Sequence, residues 1–231
     1  MKHVSRLTSV ERRHAIVDAV RGVFAANGFS GTTTRELAHA AGVSEALLYK
    51  HFPSKESLYA AMLDACTRGP SFIEFQRILT LKPSTATLVV MVHFVMVRFV
   101  YGRAGDGDKH ALDRLTVRSL LGDAGYARLA YKKLAKVWIA KFRACLQAAA
   151  RSGDLLEVPV RRNLRVWFAH HVGFSLMMHL LPRLAAIDYG ASNKILVEQA
   201  TRFALLGAGV KANAIKRHYD PRTLRFPPAS S

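Results

Sequence analysis

Three observations predict an all-α fold. Apolar residues recur with the helical period along most of the chain. Proline and glycine fall between those periodic runs far more than inside them. No alternating strand pattern of any length occurs. The 231 residues are enough for more than one average domain and for a sizeable core. No internal repeat or low-complexity tract interrupts them.

The first predicted helix opens at Thr8-Ser9-Val10-Glu11, a capping box in which a hydroxyl and a carboxylate reciprocally satisfy orphan backbone donors. Ile16, Val20, Val23 and Phe24 then line one face, and Asn27-Gly28 ends the run. Thr33-Thr34-Arg35-Glu36 forms a second capping box and opens a short helix two with Leu37, Ala38 and Ala41 apolar. Gly42 makes a turn, and Ser44 caps a third helix from Glu45 to about His51. Pro53-Ser54 stops it and caps helix four, Lys55 to about Cys66, the one continuous link expected between the N-terminal unit and the rest. Five longer helices are expected over about 84–101, 109–121, 124–151, 160–181 and 192–209. A basic tail follows from Lys211 and ends in Pro227-Pro228-Ala229-Ser230-Ser231, poorly ordered at its end.

The net charge is +18, which points to a polyanionic partner, nucleic acid before membrane surface. Residues 1–68 carry 9 basic and 6 acidic side chains and residues 69–231 carry 25 and 10, so most of the surplus lies in the second segment. Three readings of that surplus stand: a solvated surface, attraction of an anionic ligand such as an acyl-carrying cofactor or fatty acid, or added non-specific attraction to DNA. Cys66 and Cys145 sit in apolar helical patterns and read as core residues of a reducing cytosol. The apolar stretch Leu88–Val97 is too short to span a bilayer, and Val166–Leu181 carries His170, His171 and His179. No membrane association and a cytoplasmic location are therefore expected.

Two short helices joined at Gly42 read as a helix-turn-helix. Ala38, Ala40, Ala41 and Gly42 let the two helices cross closely. Helix three is apolar on one side (Leu48, Phe52) and polar or small on the other (Ser44, Glu45, Tyr49, Lys50), as a helix lying in a major groove requires.

From about Val10 to Met62 the chain resembles the TetR family of regulators. Phe24 with Asn27-Gly28-Phe29, Thr32-Thr33-Thr34, Leu37-Ala38, Ala41-Gly42-Val43-Ser44, Leu48-Tyr49-Lys50-His51-Phe52 and Lys55-Glu56-Ser57-Leu58 carry the resemblance. It implies a helix-turn-helix domain (1–53), a connecting helix (54–67), a ligand-binding and dimerisation domain (68–210) and the basic tail (211–231). It also implies a homodimeric repressor of double-stranded operator DNA, released by a small-molecule effector that tilts helix four.

The resemblance implies phosphate contacts from Thr33, Thr34 and Arg35 at the start of helix two and from Tyr49, His51 and Lys55. Ser44, Glu45, Ala46 and Lys50 are expected at base edges, with Lys50 able to donate to guanine. Alternatives stay open. Tyr49 could pack between helices one and three, His51 could cap helix three, and Lys55 could be an ordinary solvated lysine. Glu45 reads either as a cytosine contact or as a charge matched to the helix N-terminus.

Residues 160–181 and 192–209 are apolar around most of their circumference and are candidates for the dimer interface. Ala200, Ala204, Gly207 and Ala208 bring small residues to one face of the last helix. A ligand pocket, expected from the resemblance, draws its candidate lining from His93, Phe94, Phe99, Trp138, Phe142, Trp167, His171, Phe174 and Met178, with Met91, Met96 and Met177 beside them. The same Met and aromatic stripe also reads as ordinary core.

His170, His171 and His179 lack a metal-ligand spacing, so no metal is expected. Nor is a cofactor. No nucleophile elbow, phosphate loop or zincin motif is present, and Gly105-Asp106-Gly107-Asp108 is too short for a calcium loop. An enzyme is not expected. The competing function is a ligand-independent DNA-binding protein that uses its charge.

Overall fold

The structure, a computed structural model, describes residues 8–65, 70–102, 110–122 and 124–224. Helices dominate them, and the one β-type pairing among the described residues is an isolated antiparallel bridge between Leu155 and Val210. The chain divides into two compact units, Met1–Gly69 with Ala111–Ala130, and Pro70–His110 with Tyr131–Ser231. Cys66 and the Gly105–Asp108 stretch lie outside the described residues.

The first unit contains α1 (Ser9–Asn27), α2 (Thr34–Ala40), α3 (Glu45–His51) and α4 (Lys55–Ala65). Both capping boxes form, with Thr8 and Thr33 each accepting from the backbone N–H three residues on and Glu11 and Glu36 returning the bond. Those backbone N–H bonds hold both glutamates below the usual carboxylate range. Ile16, Val20 and Phe24 of α1, Leu37 of α2, Leu48 of α3 and Leu58 and Met62 of α4 share one core.

That core is completed from an unexpected place. Leu112 and Leu115 of α7 (Ala111–Leu121) and Tyr126 of α8 (Gly125–Leu134) belong to it. Tyr126 meets Tyr59 edge-on at 5.2 Å between ring centroids. Residues 111–130, expected in the C-terminal domain, therefore fold with the N-terminal unit. The apolar face of α7 is the same whichever core it joins, so its periodicity alone could not place it. Helix four is not the only link either. The chain also passes between the units at 110/111 and, within α8, at 130/131.

The second unit is built around α6 (Thr85–Tyr101), which is apolar on nearly every side. Leu88, Val89, Met91, Val92, Met96 and Val100 are all buried. A helix apolar all round belongs in a core. Around it pack α5 (Pro70–Thr80), α9 (Ala140–Arg151), α10 (Arg162–Leu180), α11 (Asn193–Gly207) and α12 (Ala212–His218). The expected helix over 124–151 is one unbroken run in which Ala135–Ile139, between α8 and α9, is a π-helical turn. α5 was not foreseen. Pro70 is tolerated in a first helical turn, and the Lys141 ammonium caps the end of α5 by donating to the Leu79 carbonyl at 2.9 Å and to that of Leu81.

The basic segment from Lys211 is not a simple tail. It forms α12, which buries Ala214 and Ile215 and is followed by a buried Tyr219. The anchor is Asp154, whose side chain is only 7% exposed. Thr85 donates to Oδ2 at 2.7 Å, Arg217 donates to Oδ1, and His218 stands 3.6 Å away. The Lys211 N–H donates to the Asp154 carbonyl at 2.9 Å. The Thr85 hydroxyl, with Arg217 and His218 behind it, holds the Asp154 carboxyl below its ordinary range. A depressed carboxyl stabilises the fold above its unfolded pKa, and the contribution is lost as pH falls through the folded value.

Asp154→Ala should accordingly cost about 2 kcal/mol, the worth of hydrogen bonds to a charged group. That is a fall of roughly 4–8 °C in Tm for a protein of this size. Thermal unfolding followed by circular dichroism at pH 7 measures it. The difference from wild type should shrink on acidification below about pH 4.

Candidate nucleic-acid interface

The helix-turn-helix is set by local chemistry. Gly42 takes a φ of +63°, a left-handed conformation that a side chain strains. The turn around it is closed by Ala41 N–H to Leu37 O, Gly42 N–H to His39 O and Val43 N–H to Ala38 O, each 3.0 Å. Ser44 caps α3 by accepting from the Leu47 N–H at 3.2 Å. With Leu48 and Phe52 buried, the opposite side of α3 leaves Ser44, Glu45, Ala46, Tyr49 and Lys50 exposed.

Tyr49 is 47% exposed, so it projects outward and does not pack between α1 and α3. Its hydroxyl is hydrogen-bonded to that of Thr34, 3.2 Å away. Two hydroxyls from different helices thus meet beside the N-terminus of α2, where the helix dipole favours an anion. Thr33 spends its own hydroxyl on the cap, and Arg35 is exposed.

Lys55 and His51 each take part in a contact within the unit. Lys55 is half-buried and donates to the carbonyls of Phe29 at 2.7 Å and Thr32 at 2.9 Å. Its ammonium also lies 4.4 Å from the centroid of the Phe29 ring. It is therefore not a free solvated lysine, because it holds the turn between α1 and α2 against the start of α4. The His51 carbonyl accepts from Arg13, whose guanidinium also stacks on Phe52 at 4.1 Å. Arg13 therefore ties α1 to the end of α3, a role with no local signal, since 38 residues separate the partners.

The aromatic and histidine candidates of the second unit separate into groups. His93 is engaged: Tyr219 lies 3.0 Å from its Nδ1, and burial pushes its imidazole down to about 4. Phe94 and Trp138 pack with Phe75, Trp138 stacking on it at 5.2 Å. Phe142 is buried in the same core, and Met178 is 44% exposed. Phe99, Trp167, His171 and Phe174 gather around His170, a residue not among the expected ligand contacts. Among the described residues no three His, Cys, Asp or Glu side chains gather as metal ligands.

Lys55→Ala should destabilise the chain by about 2 kcal/mol, through two lost charged hydrogen bonds and one cation–π contact. Urea denaturation followed by circular dichroism checks this. Unchanged stability would return Lys55 to the solvated surface.

Residues 16–62 match the family model described as bacterial regulatory proteins, tetR family. The HTH-type transcriptional regulator RutR of Escherichia coli (strain K12) is 44% identical over 59 residues, which are 26% of this chain and 27% of RutR. The matched stretch is thus about a quarter of that relative's length. Two solved structures share the fold over most of the chain. AibR, in complex with isovaleryl coenzyme A and operator DNA, is 15% identical, with 84% of this chain and 97% of that one covered and a TM-score of 0.61. The transcriptional regulator FadR from Bacillus subtilis, in complex with stearoyl-CoA, is 16% identical, with 84% and 98% covered and a TM-score of 0.57. The turn geometry, the capped α2 and α3 and the family match lead to one assignment: residues 16–62 of this chain form a segment similar to the tetR family of bacterial regulatory proteins.

Proposed function

We propose that this protein is a homodimeric, sequence-specific DNA-binding transcriptional regulator, a repressor released from its operator by a small-molecule effector. The observation that carries the reading is the outer side of α2 and α3. There the hydroxyl of Thr34, at the N-terminus of α2, lies 3.2 Å from that of Tyr49 on α3, whose other exposed residues are Glu45, Ala46 and Lys50. The paired hydroxyls suit one phosphate, which positions the protein. Ser44, Ala46 and Lys50 suit base edges, which specify sequence. Glu45, in the first turn of α3, complements the helix dipole.

Dimerisation is supported by an exposed apolar face on the packed pair α10 and α11. Leu164, Phe168 and Met178 on α10 and Ile195, Phe203 and Leu206 on α11 are each between 39% and 67% exposed. Large contiguous apolar patches mark interaction sites, and a two-fold pair would set two α3 helices at successive major grooves. The small residues do not form this face. Ala200, Ala204 and Ala208 are buried in the core of their own unit, and Gly207, at the edge of that row, is exposed.

The effector reading draws support from AibR and FadR, both solved with coenzyme A thioesters. Coupling need not run through α4 alone. The unbroken helical run Gly125–Arg151 begins in the first unit and continues in the second. An effector that favours one setting of that run shifts the population of DNA-competent dimers by its differential affinity.

DNA selected from a random pool should yield a palindrome. Tyr49→Ala should weaken binding to it at least about tenfold at fixed salt, the worth of one charge-assisted hydrogen bond, with helicity unchanged. Lys50→Ala should relax preference at one base position. Failure to enrich any sequence would favour the ligand-independent, charge-driven alternative. In sedimentation velocity the wild type should run as a dimer at about 10 µM and Phe203→Glu as a monomer. A monomeric wild type would remove the two-fold arrangement.

A further inference from the structure

His170 is unusual among the buried polar groups of the second unit. It is 8% exposed, and its Nδ1 has no hydrogen-bond partner among the described residues. A buried polar atom left unmade costs about 1–3 kcal/mol, and native structures rarely carry one without a reason. Its surroundings are rings. Phe99 meets the imidazole edge-on at 5.1 Å, Tyr131 edge-on at 5.7 Å and Trp167 edge-on at 6.1 Å, while Phe174 stacks on it at 6.1 Å. Burial, with the charges of His171 and Arg98 behind it, lowers the imidazole pKa to about 3, so the ring is neutral at physiological pH.

The cluster also has an approach side. His170 and Phe99 are buried, but Tyr131, Trp167 and Phe174 are only half-buried. Phe99 itself is held where Gly173 passes over it. A Cβ at Gly173 would stand 2.6 Å from the Phe99 ring, so this glycine lets α10 approach α6 at the ring cluster.

We propose that this cluster is the effector site of the second unit, and that it takes a flat aromatic molecule whose hydroxyl or carbonyl hydrogen-bonds His170 Nδ1. The assignment rests on the effector reading above and adds the chemistry of the effector. Ring faces and edges supply the apolar contact, and flat ligands fit between them by offset or edge-on packing. The lone nitrogen supplies orientation, and as a neutral imidazole it donates or accepts according to tautomer. No acidic side chain belongs to the cluster, and the Arg98 guanidinium lies 5.8 Å from the Phe99 ring. A cationic ligand is therefore disfavoured.

The test uses the full chain and a matched pair of probes, 1-naphthol and naphthalene, titrated by quenching of tryptophan fluorescence. Naphthol should bind about tenfold tighter, the worth of one buried hydrogen bond. His170→Phe should keep naphthalene binding and bring the ratio near one. His170→Asn, whose amide reaches the place of Nδ1, should restore part of the preference. The wild-type ratio needs no variant, so the test survives a misfolded substitution. Equal binding of the two probes by wild type, no binding of either at their solubility limits, or a tenfold ratio that persists in folded His170→Phe would overturn the proposal. Release of the selected palindrome by naphthol is measured separately. Binding without release leaves the site standing and counts against the effector reading alone.

Discussion

The face presented by α2 and α3 depends on one constraint: neither helix is long enough to hold itself together. Each has seven residues, well below the length at which an isolated helix is stable in water. Their geometry is therefore borrowed. Burial of Leu37, Leu48 and Phe52 against α1 and α4 sets the depth, and the left-handed Gly42 sets the crossing. The two cations, Lys55 on the Phe29 and Thr32 carbonyls and Arg13 on the His51 carbonyl, fix the two ends. Apart from Ser44, which caps α3, the outward side chains of α3 can be small and polar because this support does not come from them.

The second unit solves a different problem. A helix as apolar as α6 must be covered on all sides, and the cover brings polar groups inside with it. Each is met by a partner from distant sequence: His93 by Tyr219, Asp154 by Thr85 and Arg217. Matched groups of this kind rigidify a core. Against that background the unmatched nitrogen of His170 stands out, and its place among half-buried rings gives it a meaning that a buried residue elsewhere would lack.

What could be read from sequence followed the range of the interaction concerned. Thr8 with Glu11 and Thr33 with Glu36 act over three residues, and both boxes formed where the pattern put them. The long helices were legible from apolar period because α6 and α11 repeat it over four or more turns. Lys55 stands out by position, but its bonds to backbone carbonyls carry no local signal, since the partners lie 26 and 23 residues away. α12 was hidden because its few apolar residues are diluted by Lys216, Arg217 and His218, a composition that also describes a tail. The membership of α7 and the isolation of His170 Nδ1 depend on which surfaces meet, and periodicity carries no such information.

Arg165 shows how the second unit can be jointed unevenly. Its guanidinium is buried, and it donates to the carbonyls of Val160 at 2.8 Å, Val158 at 2.9 Å and Ala208 at 3.3 Å. Gly209, at a φ of +91°, leaves room for it where a Cβ would stand 3.1 Å from Nη1. Carbonyl dipoles do not titrate, and mobile ions do not reach them as they reach an exposed ion pair. The joint between α10 and α11 is thus indifferent to acid and salt, whereas the Asp154 clasp on α12, with Arg217 half in solvent, responds to both. Under stress the molecule should fray from its C-terminal end while the pair of helices that carries the exposed apolar face keeps its shape.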